Sequence, residues 1–257
     1  MPINWDPTGR NVYWFEPHQD DGCLFMAQAA AHHVLAERTV HVVLMSNGST
    51  SNVLEELNGT ASDGTWWGGQ HDPAREGYAP LSRTEFGLAR TREWRASWHQ
   101  LGVPNSRLHF GMGLTGSAAL PDNVSVAYAT QVMQYWMNRD MNAGREEPGM
   151  YTMWWDDPHS DHAACGTALR NLRLADPRYS DGRWMAKPED AARAGAVPYA
   201  VPSELAGEIR LMQKRSAFAY GAWQPASGAF AIGMHSVAQP YFDDPLRGDP
   251  NYIVRNT

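Results

Sequence analysis

The stretch WFEPHQDDGCLF, Trp14 to Phe25, decides how this chain is read. The apolar run VYWF (Val12 to Phe15) has the length and composition of a buried strand, and soon after it come a histidine and two adjacent acids. Beyond them, Gly22 to Glu37 repeats apolar residues at helical spacing through Leu24, Met26, Ala27, Ala30 and Val34. VHVVLMS (Val40 to Ser46) is a second buried strand, bounded by Asn47 and Gly48. Strand, helix, strand implies a parallel pair.

The pattern then repeats. Gly48 to Ser82, rich in Gly, Ser, Thr and Asn, reads as a loop or lid that carries Trp66 and Trp67. Thr84 to Gln100 reads as a helix opened by SRTE (Ser82 to Glu85), in which a serine with glutamate three residues on has the capping-box form. RLHF (Arg107 to Phe110) is strand-like, followed by a helix from about Asn123 to Asn142, the strand MYTMWW (Met150 to Trp155), the cluster PHSDH, and a helix from about Ala163 to Leu174. Repeated βα units predict an α/β fold, a Rossmann-like and mostly parallel sheet with helices on both faces. Ligands of such sheets bind at the carboxyl ends of the strands. Both acidic-histidine clusters follow strands directly, so they are expected to meet on that edge. With 257 residues and 43% apolar content, one domain spanning residues 1–257 is the default. The region after about Lys187 is harder to read. Glu204 to Tyr220 has helical spacing, and the loop-rich stretch from Pro225 is expected to cover one side of the pocket.

A formal charge of −7 gives no basic field for phosphate backbones or anionic lipid, which argues against a nucleic-acid partner. MPINWDPTGR lacks the basic start and apolar centre of a signal peptide, and no window reaches the ~18 apolar residues of a membrane span. Cys23 and Cys165 are the only cysteines, too few for a disulfide framework. These features together predict a cytoplasmic protein.

Adjacent carboxylates at a water-accessible edge repel unless a cation is present, and His18, three residues before Asp21, supplies a nitrogen of the kind zinc accepts. His159 and His162 in PHSDH offer a third ligand from a distant part of the chain. Three protein ligands leave a position open for water, the arrangement of a catalytic zinc, and the second acid is then free to act as a general base.

At these residues the chain resembles the LmbE-like (PIG-L) zinc-dependent N-acetylglucosamine deacetylases. PHQDD is similar to that family's PHPDD signature and PHSDH to its HPDH signature, and Arg90, Glu93, Leu101 and Gly102 follow its helix pattern between them. The resemblance spans roughly Val12 to Arg170. It implies that His18, Asp21 and His162 bind Zn²⁺, that Asp20 is the base, and that His159 stabilises or protonates the reacting centre. The HQDD variant and the aromatic lid resemble most the members that act on teicoplanin-type glycopeptide intermediates, which makes a small-molecule glycoside the expected substrate. Arg90, Trp66 and Trp67 are the expected substrate contacts. The sequence departs from the family pattern where Gln19 replaces proline, where Asp157 and Pro158 stand in place of a more glycine-rich approach, and where GMGLTGS after RLHF lacks the acidic residue that many members carry.

Other readings compete. Arg90 and Glu93 are also spaced as a helix-surface pair. Cys23 and Cys165 read as buried helix residues. Another N-acyl conjugate is the alternative substrate within the family. GMGLTG (Gly111 to Gly116) fits the dinucleotide fingerprint of a nucleotide-binding oxidoreductase, but the fingerprint needs a helix at once and an acid closing a strand about twenty residues later. A catalytically dead, lectin-like module is a third possibility, and the presence of Asp20 argues against it.

Overall fold

The computed structural model describes residues 10–61, 71–237 and 241–254. Strand β1 (Asn11–Glu16) pairs in parallel with β2 (Thr39–Leu44), and β2 with β3 (Leu108–Phe110). The chain then returns to the other side of β1, where β4 (Gly149–Met153) and β5 (Gly182–Ala186) continue the parallel sheet. Two further strands, β6 (Ala196–Pro198) and β7 (Tyr252–Val254), close that side antiparallel, in the order β3-β2-β1-β4-β5-β7-β6. The parallel α/β expectation is met. β5 escapes the sequence reading because it opens on Gly182 and Arg183, and β6 and β7 because each is only three residues long.

Alternation along β1 and β2 feeds two cores. Val12, Trp14, Val40, Val42 and Leu44 pack on one face under helices α1 (Ala27–Leu35), α2 (Arg83–Gln100) and, later in the chain, α5 (Ala206–Phe218). Tyr13, Phe15, Val43 and Met45 pack on the other under α3 (Val126–Asn142) and α4 (Ser160–Ala175). This is the period-two logic of a sheet buried on both sides. Trp14, Trp94, Trp98, Trp136 and Trp184 are all core residues, as their context suggests. The capping box at Ser82 and Glu85 is present, with both reciprocal bonds. Within the stretch read as a lid, short helical turns form at Val53–Leu57 and Pro73–Glu76; Trp66 and Trp67 lie outside the described residues.

Two local devices set the edge where the strands end. A π-helical turn, Gly22–Met26, precedes α1 and lets the chain bend directly after the acid pair. On α4, a Cβ at Gly166 would lie 2.6 Å from Met153 O and Trp154 C, so glycine lets this helix pack straight onto the backbone that follows β4. The dinucleotide fingerprint fails structurally. Gly111 and Gly113 take positive φ in a turn after β3, and the next long helix begins only at Val126.

Three histidines are built into the sheet and helix packing as neutral groups. Burial pushes His33 down to about 3, with Arg38 adding to the effect. Burial and the adjacent His109 push His41 down to about 2, and burial with Arg139 pushes His109 down to about 4. His41 Nδ1 and His109 Nε2 are 2.9 Å apart across β2 and β3. Because the folded pKa values lie below the unfolded value of roughly 6.5, the stability they contribute is complete above that pH and is lost as pH falls toward 4. A thermal melt should therefore give a lower Tm at pH 5 than at pH 7. The pH-dependent difference should shrink in a His41→Gln, His109→Gln double variant; an equal drop in both proteins would exclude these groups as its source.

Candidate active site

β1 and β4 are neighbours at the point where the strand order reverses, and the loops after them form the walls of a crevice. After β1, the His18 amide donates to Asp21 Oδ2 at 2.8 Å, which folds PHQDD into a tight turn. After β4, the His159 amide donates to Asp157 Oδ1 at 2.8 Å, and His159 Nδ1 accepts the Asp161 amide at 3.3 Å as the cap of α4. His162 then projects from the first turn of α4. Loops after β1 and β2 are tied together by Ser46 Oγ to Pro17 O (2.6 Å) and by Gln19 Nε2 to Asn47 O (2.7 Å).

The two clusters meet. His18 Nδ1 and His162 Nε2 are 3.2 Å apart, His162 Nε2 and Asp21 Oδ1 3.1 Å, and His18 Nδ1 and Asp21 Oδ2 3.3 Å. Ligand atoms around a tetrahedral zinc with bonds of about 2.0–2.1 Å are roughly 3.3 Å apart, and each of these separations is of that size, with His162 meeting Oδ1 and His18 meeting Oδ2 of the Asp21 carboxylate. A second grouping, His18, His159 and His162, is looser, with its ligand atoms within 4.8 Å of one another. Two atoms on one zinc can be no more than about 4.2 Å apart, twice the bond length, which makes the set containing Asp21 the better fit.

Each histidine of the tighter set has its other ring nitrogen on a carboxylate. His18 Nε2 lies 3.1 Å from Asp161 Oδ2, and His162 Nδ1 lies 3.2 Å from Asp157 Oδ2. This is the carboxylate–histidine arrangement that orients metal-binding imidazoles. Asp157 is itself held by Lys187 Nζ at 2.9 Å. Burial alone would raise the pKa of Asp157 and Asp161, but their histidine partners, with the His159 amide and Lys187 also acting on Asp157, lower both. His159 is exposed at the mouth, and burial with the nearby His18 and His162 lowers its pKa. Since its Nδ1 accepts an amide proton, the neutral ring carries its own proton on Nε2.

Asp20 stands beside this set, buried, with Arg90 Nη2 3.4 Å from each carboxylate oxygen and Ser236 Oγ donating to Oδ2 at 2.9 Å. Arg90 and Glu93 are not the surface pair that their spacing allows. Both are buried: Arg90 also donates to Gly48 O at 3.0 Å, and Glu93 accepts the Ile232 and Gly233 amides at 2.8 and 3.0 Å. A cavity of about 370 Å³ opens over His18, Asp20, Asp21, His159, His162 and Arg90, with Lys187, Ser236 and Tyr241 on its C-terminal side. The loop-rich stretch after Pro225 thus covers one side of the pocket, as expected. Cys23 and Cys165 are buried, and His99 is exposed on α2 outside the cavity lining.

Residues 13–172 match the family model described as PIG-L, GlcNAc-PI de-N-acetylase. The chain belongs to the PIG-L family. No curated protein matches it in sequence. Among solved structures, a teicoplanin-pathway deacetylase in complex with teicoplanin is similar, with a TM-score of 0.54 and 13% identity over 96% of this chain and 98% of that one. The A40926 pseudoaglycone deacetylase Dbv21 gives a TM-score of 0.50 and 17% identity over 96% and 95%. The 4-carboxy-2-hydroxymuconate hydratase GalB from Pseudomonas putida KT2440 gives 0.54 and 13% over 93% and 83%. At such identities the likeness is one of fold, and the fold carries hydratase as well as deacetylase chemistry.

Several PIG-L site neighbours were not assigned from sequence. Asp161 and Asp157 stand within and beside PHSDH, which is the signal the sequence offers, but Asp161 meets His18 from the other cluster rather than its own neighbour His162. Glu16 was hidden at the end of an apolar strand. Its buried carboxyl accepts from Trp94 Nε1 and Trp98 Nε1, and burial holds its pKa well above the usual carboxylate range. Glu16 Oε1 lies where a Cβ on Gly22 would be, and that Cβ would also come within 2.6 Å of the Trp98 ring. Gly22→Ala should therefore cost about 1–3 kcal/mol in denaturant unfolding. The cost should shrink when Glu16→Ala is already present. A fully additive double-mutant cycle would place the crowding elsewhere.

Proposed function

We propose that the protein is a zinc-dependent deacetylase that hydrolyses the N-acetyl group of an N-acetylglucosaminyl unit, with a glycopeptide pseudoaglycone as the substrate class. The observation that carries this reading is the set of 3.1–3.3 Å separations among His18, Asp21 and His162, with Asp20 beside it in the crevice. His18, Asp21 and His162 would hold the metal. Zinc supplies Lewis-acid polarisation of the amide carbonyl and makes water more acidic. The family membership and the fold shared with glycopeptide deacetylases support amide hydrolysis.

The residues around that set have separate tasks. Asp20 takes a proton from the attacking water, and Arg90 and Ser236 keep its carboxylate pointed at the crevice. His159 presents its Nε2 proton toward the reacting centre as a hydrogen-bond donor to the developing oxyanion, and the proton that Asp20 takes from water passes to the leaving amine. Asp157 and Asp161 fix the imidazole planes of His162 and His18. The cavity of about 370 Å³ lies near the small end of ligand pockets and suits one sugar unit, so a larger aglycone would lie outside it. The reaction releases acetate and a free amino sugar.

Metal analysis and acetate release on N-acetylglucosamine, N,N′-diacetylchitobiose and an acetylated glycopeptide pseudoaglycone test this reading together. His18→Ala, Asp21→Ala and His162→Ala should each lose most of the bound zinc, because two remaining ligands compete poorly with water. Asp20→Asn should keep its zinc and lose ~10²–10⁴-fold in kcat. Full zinc in all three ligand variants, or wild-type turnover in Asp20→Asn, would overturn the assignment.

A further inference from the structure

Asp20 is held by two donors, and both trace back to helix α2. Arg90 reaches it directly. Three residues further along α2, Glu93 accepts the Ile232 and Gly233 amides through separate oxygens at 2.8 and 3.0 Å, capping the single helical turn Ile232–Ser236 at whose end Ser236 Oγ meets Asp20 Oδ2. That turn is fixed from other sides as well. Ala231 enters it in the left-handed region at φ 47°, and its amide donates to Ala222 O at 3.1 Å. A side chain on Gly233 would overlap the Tyr220 ring, whose hydroxyl in turn donates to the carbonyl of Gln19, the residue before Asp20. Ile232 is fully buried in a cluster with Phe86 and Ala89 of α2.

We propose that Ser236 and Glu93 are positioning residues for Asp20, so that the carboxylate assigned as base is aimed from a segment that lies beyond the matched family region. The inference rests on that assignment of Asp20. Ser236 suits the task because its single hydroxyl proton has two acceptors in reach, Asp20 Oδ2 at 2.9 Å and Gly233 O at 3.0 Å. It donates to the Asp20 carboxylate. With its proton turned onto Gly233 O, the same oxygen can accept from Asp20, so the contact survives a proton transfer to that residue. Glu93 suits its own task because each carboxylate oxygen takes one amide, which an amide side chain in its place cannot reproduce.

The test compares Ser236→Ala, Ser236→Thr, Glu93→Gln and Asp20→Asn with the wild-type zinc-loaded protein, by acetate release from N-acetylglucosamine and N,N′-diacetylchitobiose, zinc content and crystal structures. Ser236→Ala should lower kcat ~10–100-fold while KM and zinc stay within about twofold, the signature of a mis-aimed group rather than a lost ligand. Ser236→Thr, which keeps the hydroxyl, should recover most of the loss. Glu93→Gln should lower kcat similarly, and adding Ser236→Ala to it should cost little more. In crystals of Ser236→Ala the Asp20 carboxylate should turn from its wild-type orientation with His18 and His162 in place. An unmoved Asp20 carboxylate in that structure overturns the inference even if neither probe is hydrolysed; so does wild-type kcat in Ser236→Ala, or an equal loss in Ser236→Thr. Failure of the underlying reading appears separately, as wild-type turnover in Asp20→Asn.

Discussion

The parallel pairing of β1 with β4, register Val12 with Gly149 through Trp14 with Tyr151, is the constraint on which the site depends. Two clusters far apart in sequence sit at the ends of adjacent strands, so strand spacing brings His18 and His162 within 3.2 Å. A slip of one residue in this pairing would turn alternate side chains to the opposite core and separate the clusters. Fold and site are thus specified by the same contacts. Trp14, on one face, stacks on Tyr151 of β4 at 4.0 Å between ring centroids, while Tyr13 faces the other core against Trp136.

Four aspartates, Asp20, Asp21, Asp157 and Asp161, are buried within this small volume, an arrangement that is costly unless each charge has a partner. Each has one. Arg90 faces Asp20, His162 and His18 face Asp21, Lys187 and His162 face Asp157, and His18 faces Asp161. The acids divide into one that faces both imidazoles, two that steer those imidazoles from behind, and one with an independent set of donors. Adjacent residues Asp20 and Asp21 therefore have different surroundings, even though their spacing in the chain gives no hint of which is which.

The legible part of the sequence was the part with periodicity or chemical clustering. β1, β2, β4 and the long helices carry apolar repeats, and the two histidine clusters stand directly after strands. What stayed hidden depends on distant contact. Arg90 and Glu93 have a spacing that suits solvent as well as core, and they meet distant partners, Arg90 at Gly48 and Asp20 and Glu93 at the amides of Ile232 and Gly233. Ser236 lies in a stretch with no local sign of chemistry. Glu16 reads as the polar end of a strand, because nothing in the sequence shows two indole N–H groups arriving from α2. Three-residue strands such as β6 and β7 are too short to display a period.

The position of β7 has a consequence for how the molecule assembles. This strand lies between β5 and β6, and among the described residues β6 has no other neighbour in the sheet, so the earlier strand of the pair must wait for the later one. Just before β7, Asn251 exchanges hydrogen bonds with Gln28 of α1, its Oδ1 taking the Gln28 amide at 2.8 Å and its own amide reaching Gln28 Oε1 at 3.2 Å. Contacts of such long sequence separation carry a large loop-closure cost and form late. As the chain emerges from a ribosome, β1 to β5 can associate in order while residues 196–198 stay unpaired. The first helix after the acid pair is then clasped only when one of the last described segments arrives.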